Sequence, residues 1–137
     1  MIKFLLGLVI AAIISISSFV YEGKLFAQFD MNVSPQALID SAKKGDPDAM
    51  FDLGNCMFEG ICPGIERNDS QSIYWMQRAA AMDHGAALTM IGVMHCTGEN
   101  KYIELDKAKG KKMMKRALRS GGPGVETMVN MFISICD

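Results

Sequence analysis

Apolar and small residues recur along most of the chain at steps of three and four, the period of an amphipathic helix. In the stretch "PDAMFDLGNCMFEG", beginning at Pro47, the residues Ala49, Leu53, Cys56, Met57 and Gly60 share one face. Pro47 suits the first turn of that helix, and Asp46 suits its cap. A second helix is predicted from about Ser70 to Met82, with Ile73, Trp75, Met76, Ala79 and Ala80 as its buried side. The segment "LDKAKGKKMMKRALRSGG" ends at Gly121-Gly122, residues suited to a left-handed helix stop. One more helix lies in front, Ser34 to Gly45, and a last one runs from about Pro123 to Cys136. The pattern predicts an all-α chain of about six helices, with no strand signal and no long linker.

The pattern repeats. Ala49, Ala87 and Val125 are each 38 residues apart, as are Leu53, Ile91 and Val129. The same offset joins Gly54, Gly92 and Asn130, then Gly45, Asp83 and Gly121, and also Gly60 and Gly98. It also links Asp30, Asn68 and Asp106, and Ser41, Ala79 and Ala117. A repeat of this length implies stacked helix pairs that share a continuous core. The units fall near residues 47–84 and 85–122, followed by a half unit at 123–137.

The residues at these registers resemble the Sel-one-like repeat (SLR) family, a relative of the tetratricopeptide repeat. The first copy carries Ala49, Leu53-Gly54, Gly60, Gly64-Ile65, Asn68, Ser72, Trp75 and Ala79-Ala80. The second keeps Ala87, Ile91-Gly92, Gly98, Asp106 and Ala117, with Met113 in place of the Trp and Gly110 in place of an Ala. Tyr102 stands where Gly64 would recur, so that turn must be built differently. Gly110 within a helix should cost about 1 kcal/mol relative to Ala, which predicts a softer second repeat. The resemblance implies a short α-solenoid of antiparallel helix pairs whose first helices line a concave, ligand-binding surface. On that surface it places Asp52, Asn55 and Glu59 in the first copy, Met90, Val93 and Thr97 in the second, and Met128, Met131 and Ile135 in the third.

Composition adds a compartment. The chain has 137 residues, half of them hydrophobic, and a formal net charge of -1, enough for one small domain. Met1-Ile2-Lys3 followed by the apolar run from Phe4 to Val20 reads as a signal peptide, residues 1–27, with residues 28–137 as the mature repeat domain. An uncleaved anchor is the alternative, and only then would the chain meet a membrane. Export to the periplasm or beyond makes the four cysteines candidates for disulfides. Of three connectivities, the stacked architecture favours Cys56–Cys62, local to one loop, and Cys96–Cys136, between neighbouring first helices.

Chemistry is sparse. Only His84 and His95 are present, and no Ser-His-Asp or Cys-His arrangement, phosphate loop or dinucleotide turn emerges. No cofactor or metal is called for. His84 is expected in an exposed turn without a role, and His95 in semi-buried packing. From Gln28 to Asn100 there are ten acids and four bases, and from Lys101 to Asp137 four acids and eight bases. The basic group is expected to coat one exposed helix, and nucleic acid does not fit an exported chain of net negative charge. The expected function is non-catalytic: binding of another protein through the concave face. The resemblance extends this to an inhibitor or immunity protein for an envelope-acting enzyme or toxin, or to an envelope adaptor. Two alternatives remain. Cysteine-rich relatives bind or hydrolyse β-lactams, although their cysteines are placed differently, and Met94-His95-Cys96 offers soft ligands for copper.

Overall fold

The computed structural model describes residues 34–137, so the expected signal peptide lies outside the described residues. These residues form six α-helices and a short 3-10 turn, without strands among the described residues. The helices are α1 (Pro35–Lys44), α2 (Pro47–Glu59), α3 (Asp69–Ala81), α4 (Gly85–Thr97), α5 (Lys107–Ser120) and α6 (Val125–Phe132). The most extensive contacts join α2 to α3 and α4 to α5, and α4 also packs on α6. No helix among the described residues is long and apolar enough to cross a membrane.

The 38-residue period is visible atom by atom. Asp46 caps α2 by accepting from the Asp48 and Ala49 amides, and His84, one period on, caps α4 by accepting from Ala87. Asn68 and Asp106 cap α3 and α5 in the same way, each accepting from the amide three residues on. The loops between the paired helices are pinned alike: the Asn68 amide donates to the Met57 carbonyl at 2.9 Å, and the Asp106 amide donates to His95 at 2.8 Å. Gly45, Asp83 and Gly121 all take positive φ, at 103°, 63° and 73°. Asp83 is the single non-glycine residue among those described to do so. The backbone there must turn left-handed, which explains why glycine holds the other two places.

The core follows the expected faces. Ile73, Trp75, Met76, Ala79 and Ala80 of α3 are buried, as are Ala49, Leu53 and Cys56 of α2. In α4 nearly every turn is buried, including Leu88, Ile91, Met94 and Cys96, because this helix has neighbours on several sides.

Three details correct the sequence reading. Gly110 does not simply weaken α5: an added Cβ would lie 2.3 Å from the Cys96 sulfur and 2.5 Å from the Gly92 carbonyl oxygen. The glycine allows α4 and α5 to approach, so its cost in helix propensity is offset by packing. The last helix is shorter than expected, ending at Phe132, and residues Ile133–Cys136 tighten into a 3-10 turn that brings Cys136 to α4. His84 is not an idle surface residue. Besides capping α4, its ring stacks on Phe51 with centroids 4.8 Å apart, and Nε2 lies 3.1 Å from the Asp48 carboxylate.

Candidate functional site

The site forms where the C-terminal ends of α2 and α4 meet the loop after α4. A left-handed stop at Gly98, whose amide donates to the Met94 carbonyl, ends α4 and turns the chain outward. In the first copy the next turn uses Gly64 at φ 75°. In the second, Asn100 does that work: its side-chain oxygen accepts from the Tyr102 amide at 2.9 Å, and its carbonyl accepts from Ile103 at 3.0 Å. Ile103 is buried against Met94 and Ile91, which fixes the loop to the core. Tyr102 is thereby presented at the surface, with the Lys101 ammonium 4.9 Å from its ring centroid.

Between this loop and the two helices lies a groove of about 540 Å³. Phe58 of α2 and Met90, Val93 and Met94 of α4 supply its apolar walls, and Tyr102 closes one side. Its polar residues, Asp69, Thr97, Glu99, Asn100 and Lys101, carry both signs of charge. Apolar walls with a few polar groups are the usual composition of a binding cleft.

The expected surface residues divide. Met90, Val93 and Thr97 come together in the groove. Asp52, Asn55 and Glu59 do not line it: the first two are half-buried on α2, and Glu59 is exposed. Met128 is half-buried on α6, while Met131 and Ile135 are exposed and also stand apart from the groove. Phe58, Asp69 and Tyr102 were missed by sequence reasoning. Tyr102 had a signal, since it breaks the glycine register of the loop; Phe58 had none, being one position off the expected stripe.

Asp52 sits among like charges. Its partial burial pushes its carboxyl above the ordinary range, Asp48 and Asp46 add to this, and His84 opposes it. The structure joins Cys56 to Cys62 and Cys96 to Cys136 and leaves no free cysteine among the described residues. Cys96 therefore offers no thiolate beside His95, whose Nδ1 is 2.7 Å from the Glu104 carbonyl oxygen. No group of three or more His, Cys, Asp or Glu side chains among the described residues is placed to hold a metal.

The family model for the Sel1 repeat matches residues 47–84 and again residues 85–122, more than half of the chain. The chain belongs to the Sel1 repeat family. A crystal structure of a Sel1 repeat protein from Oxalobacter formigenes is similar, with a TM-score of 0.60 and 27% sequence identity, covering 71% of this chain and 70% of that one. No curated protein matches the chain significantly. Sel1 repeats are in general interaction scaffolds without catalytic machinery of their own, and two disulfides in so short a chain are in keeping with an oxidising compartment.

Proposed function

We propose that this Sel1 repeat protein is exported and acts without catalysis, by binding another protein through the side lined by α2, α4 and the loop after α4. The observation that carries this reading is the groove itself, where Phe58, Met90, Val93 and Tyr102 expose apolar surface between polar rims. Methionine there suits an adaptable contact, because its unbranched chain repacks at little cost. The acidic side chains of Asp52 and Glu59 flank this side and steer a partner of opposite charge. A partner of this kind is an envelope-acting enzyme or toxin that the protein inhibits, or a component that it holds in an envelope assembly.

The test is capture of partners from envelope and secreted fractions, comparing the wild type with Met90→Glu/Val93→Glu, once circular dichroism shows that the variant is folded. Loss of one stoichiometric partner is expected. A partner profile unchanged by the double substitution refutes the reading. With the partner in hand, Asp52→Lys and Glu59→Lys should slow association and leave dissociation nearly unaltered. Unchanged association rates would show that the acidic residues lie outside the contact.

A further inference from the structure

The opposite side of α4 faces a second groove with different chemistry. Successive helical residues are about 100° apart, which puts Leu88, Ile91 and His95 on the far side of α4 from Met90, Val93 and Thr97. This second groove, about 380 Å³, runs between α3 and α5. Its floor is Leu88, Ile91 and Ala80, all buried, and its wall on α5 is Lys109, Lys112 and Arg116. None of its lining residues carries a carboxylate.

We propose that this groove binds an acidic amphipathic helix of a partner protein, at a site separate from the apolar groove described above. Charge and helical spacing select this occupant. Lys109, Lys112 and Arg116 follow one another at steps of three and four, so they form a basic row along α5. Leu88, Ile91 and His95 keep the same steps along α4 but are buried beneath the groove, so the apolar surface open to an occupant comes from Ala81, Met113 and the stems of the lysines. A helix with carboxylates on one edge and leucine-like side chains on the next meets the basic row and this apolar surface at once. Lys109 and Lys112 are exposed and make no ion pair among the described residues, so their ammonium groups are available. Arg116 is engaged by Asp83, Nε to Oδ1 at 2.5 Å, and this pair closes one end of the groove.

The floor adds one directional group. His95 is only 5% exposed, and because a carbonyl can only accept, its Nδ1 donates to Glu104. Nε2 is left with a lone pair and no hydrogen bond among the described residues, an acceptor for an N–H or O–H group of the occupant. The lining has no Phe, Tyr or Trp on which a nucleic-acid base could stack, and the His95 ring is buried in the floor. A cleft between two helices also does not match a flat bilayer surface.

The probe is a fluorescein-labelled peptide of about four helical turns, with glutamates along one edge and leucines along the next. A second peptide has glutamine at every glutamate. Anisotropy should show binding of the glutamate peptide that weakens with salt, and Lys109→Glu/Lys112→Glu should reduce its affinity by about tenfold or more. Met90→Glu/Val93→Glu should leave it unchanged, which separates this site from the apolar groove. Equal binding of the glutamine peptide, an unaffected Lys109→Glu/Lys112→Glu variant, or no binding of either peptide overturns the proposal. So does tighter binding to phosphatidylglycerol vesicles or to a single-stranded oligonucleotide. Concentration-dependent self-association abolished by the same charge reversals would assign the groove to a second copy of the chain instead.

Discussion

Gly110→Ala sets two physical rules against each other. Helix propensity alone favours alanine in the middle of α5 by about 1 kcal/mol. Packing opposes it. The new Cβ would lie 2.3 Å from the Cys96 sulfur, 2.5 Å from the Gly92 carbonyl oxygen and 3.2 Å from the His95 Cβ. The sulfur is tethered by its bridge to Cys136, and Gly92 is backbone inside α4, so neither is the free end of a flexible side chain. The helices must therefore separate, and overpacking of this kind costs about 1–3 kcal/mol, or more where backbone has to move. Because backbone has to move here, the upper part of that range, about 2–3 kcal/mol, applies, and with the propensity gain of about 1 kcal/mol subtracted a net loss of roughly 1–2 kcal/mol is expected. For a domain of this size that lowers Tm by about 4–8 °C per kcal/mol. Thermal and urea denaturation of the oxidised protein, wild type against variant, would measure it. A Tm equal to or above that of the wild type would refute the close-approach argument and restore the view that Gly110 merely softens the repeat.

Ser72 holds the equivalent place in α3, and its hydroxyl is buried without a hydrogen-bond partner. Ser72→Ala should raise stability by about 1 kcal/mol in urea denaturation, since an orphaned buried hydroxyl costs about 1–3 kcal/mol; a loss would show that the hydroxyl is satisfied. Asp52 has its carboxyl raised in the folded state, so ionising it opposes folding, an effect absent below the unfolded value near 3.8 and complete above the folded one. Asp52→Asn should accordingly stabilise at pH 7 and bring no such gain at pH 3, as followed by denaturation at both values. Asp83 behaves oppositely: hydrogen bonding by Arg116 lowers its carboxyl, so its contribution is present above about pH 3.8 and is lost as pH falls through the folded value. Removing the Cys96–Cys136 bridge, which spans 40 residues, should cost about 4 kcal/mol, against about 2 kcal/mol for Cys56–Cys62, which spans six. Paired Cys→Ala variants compared by denaturation test the order, and a larger loss from the short bridge would contradict it.

The repeat made much of the fold legible. An offset of 38 requires the same local chemistry at each register, and the caps at Asp46 and His84 and the loop bonds from Asn68 and Asp106 obey it. The faces of α2 and α3 were readable because each presents a single side to the core. Those of α4 were less so, since a helix with neighbours on several sides has no polar face to give the direction away. The cap at His84 is not legible in the sequence because a histidine cap has the geometry of an aspartate cap without its usual sequence signature. The groove was only partly legible: Met90, Val93 and Thr97 follow from helix periodicity, but Tyr102 depends on a turn built by the Asn100 side chain. Pairs distant in sequence, such as Arg116 with Asp83 and Lys111 with Asp137, leave no periodic trace.

The central claim is that the side bearing Phe58, Met90, Val93 and Tyr102 binds another protein. Its most direct test is quantitative partner capture with three proteins in parallel: wild type, Met90→Glu/Val93→Glu and Lys109→Glu/Lys112→Glu. The account predicts one stoichiometric partner that is lost with the first variant and kept with the wild type, whatever happens with the second. A partner retained at full yield by Met90→Glu/Val93→Glu, in a variant shown to be folded, would contradict it.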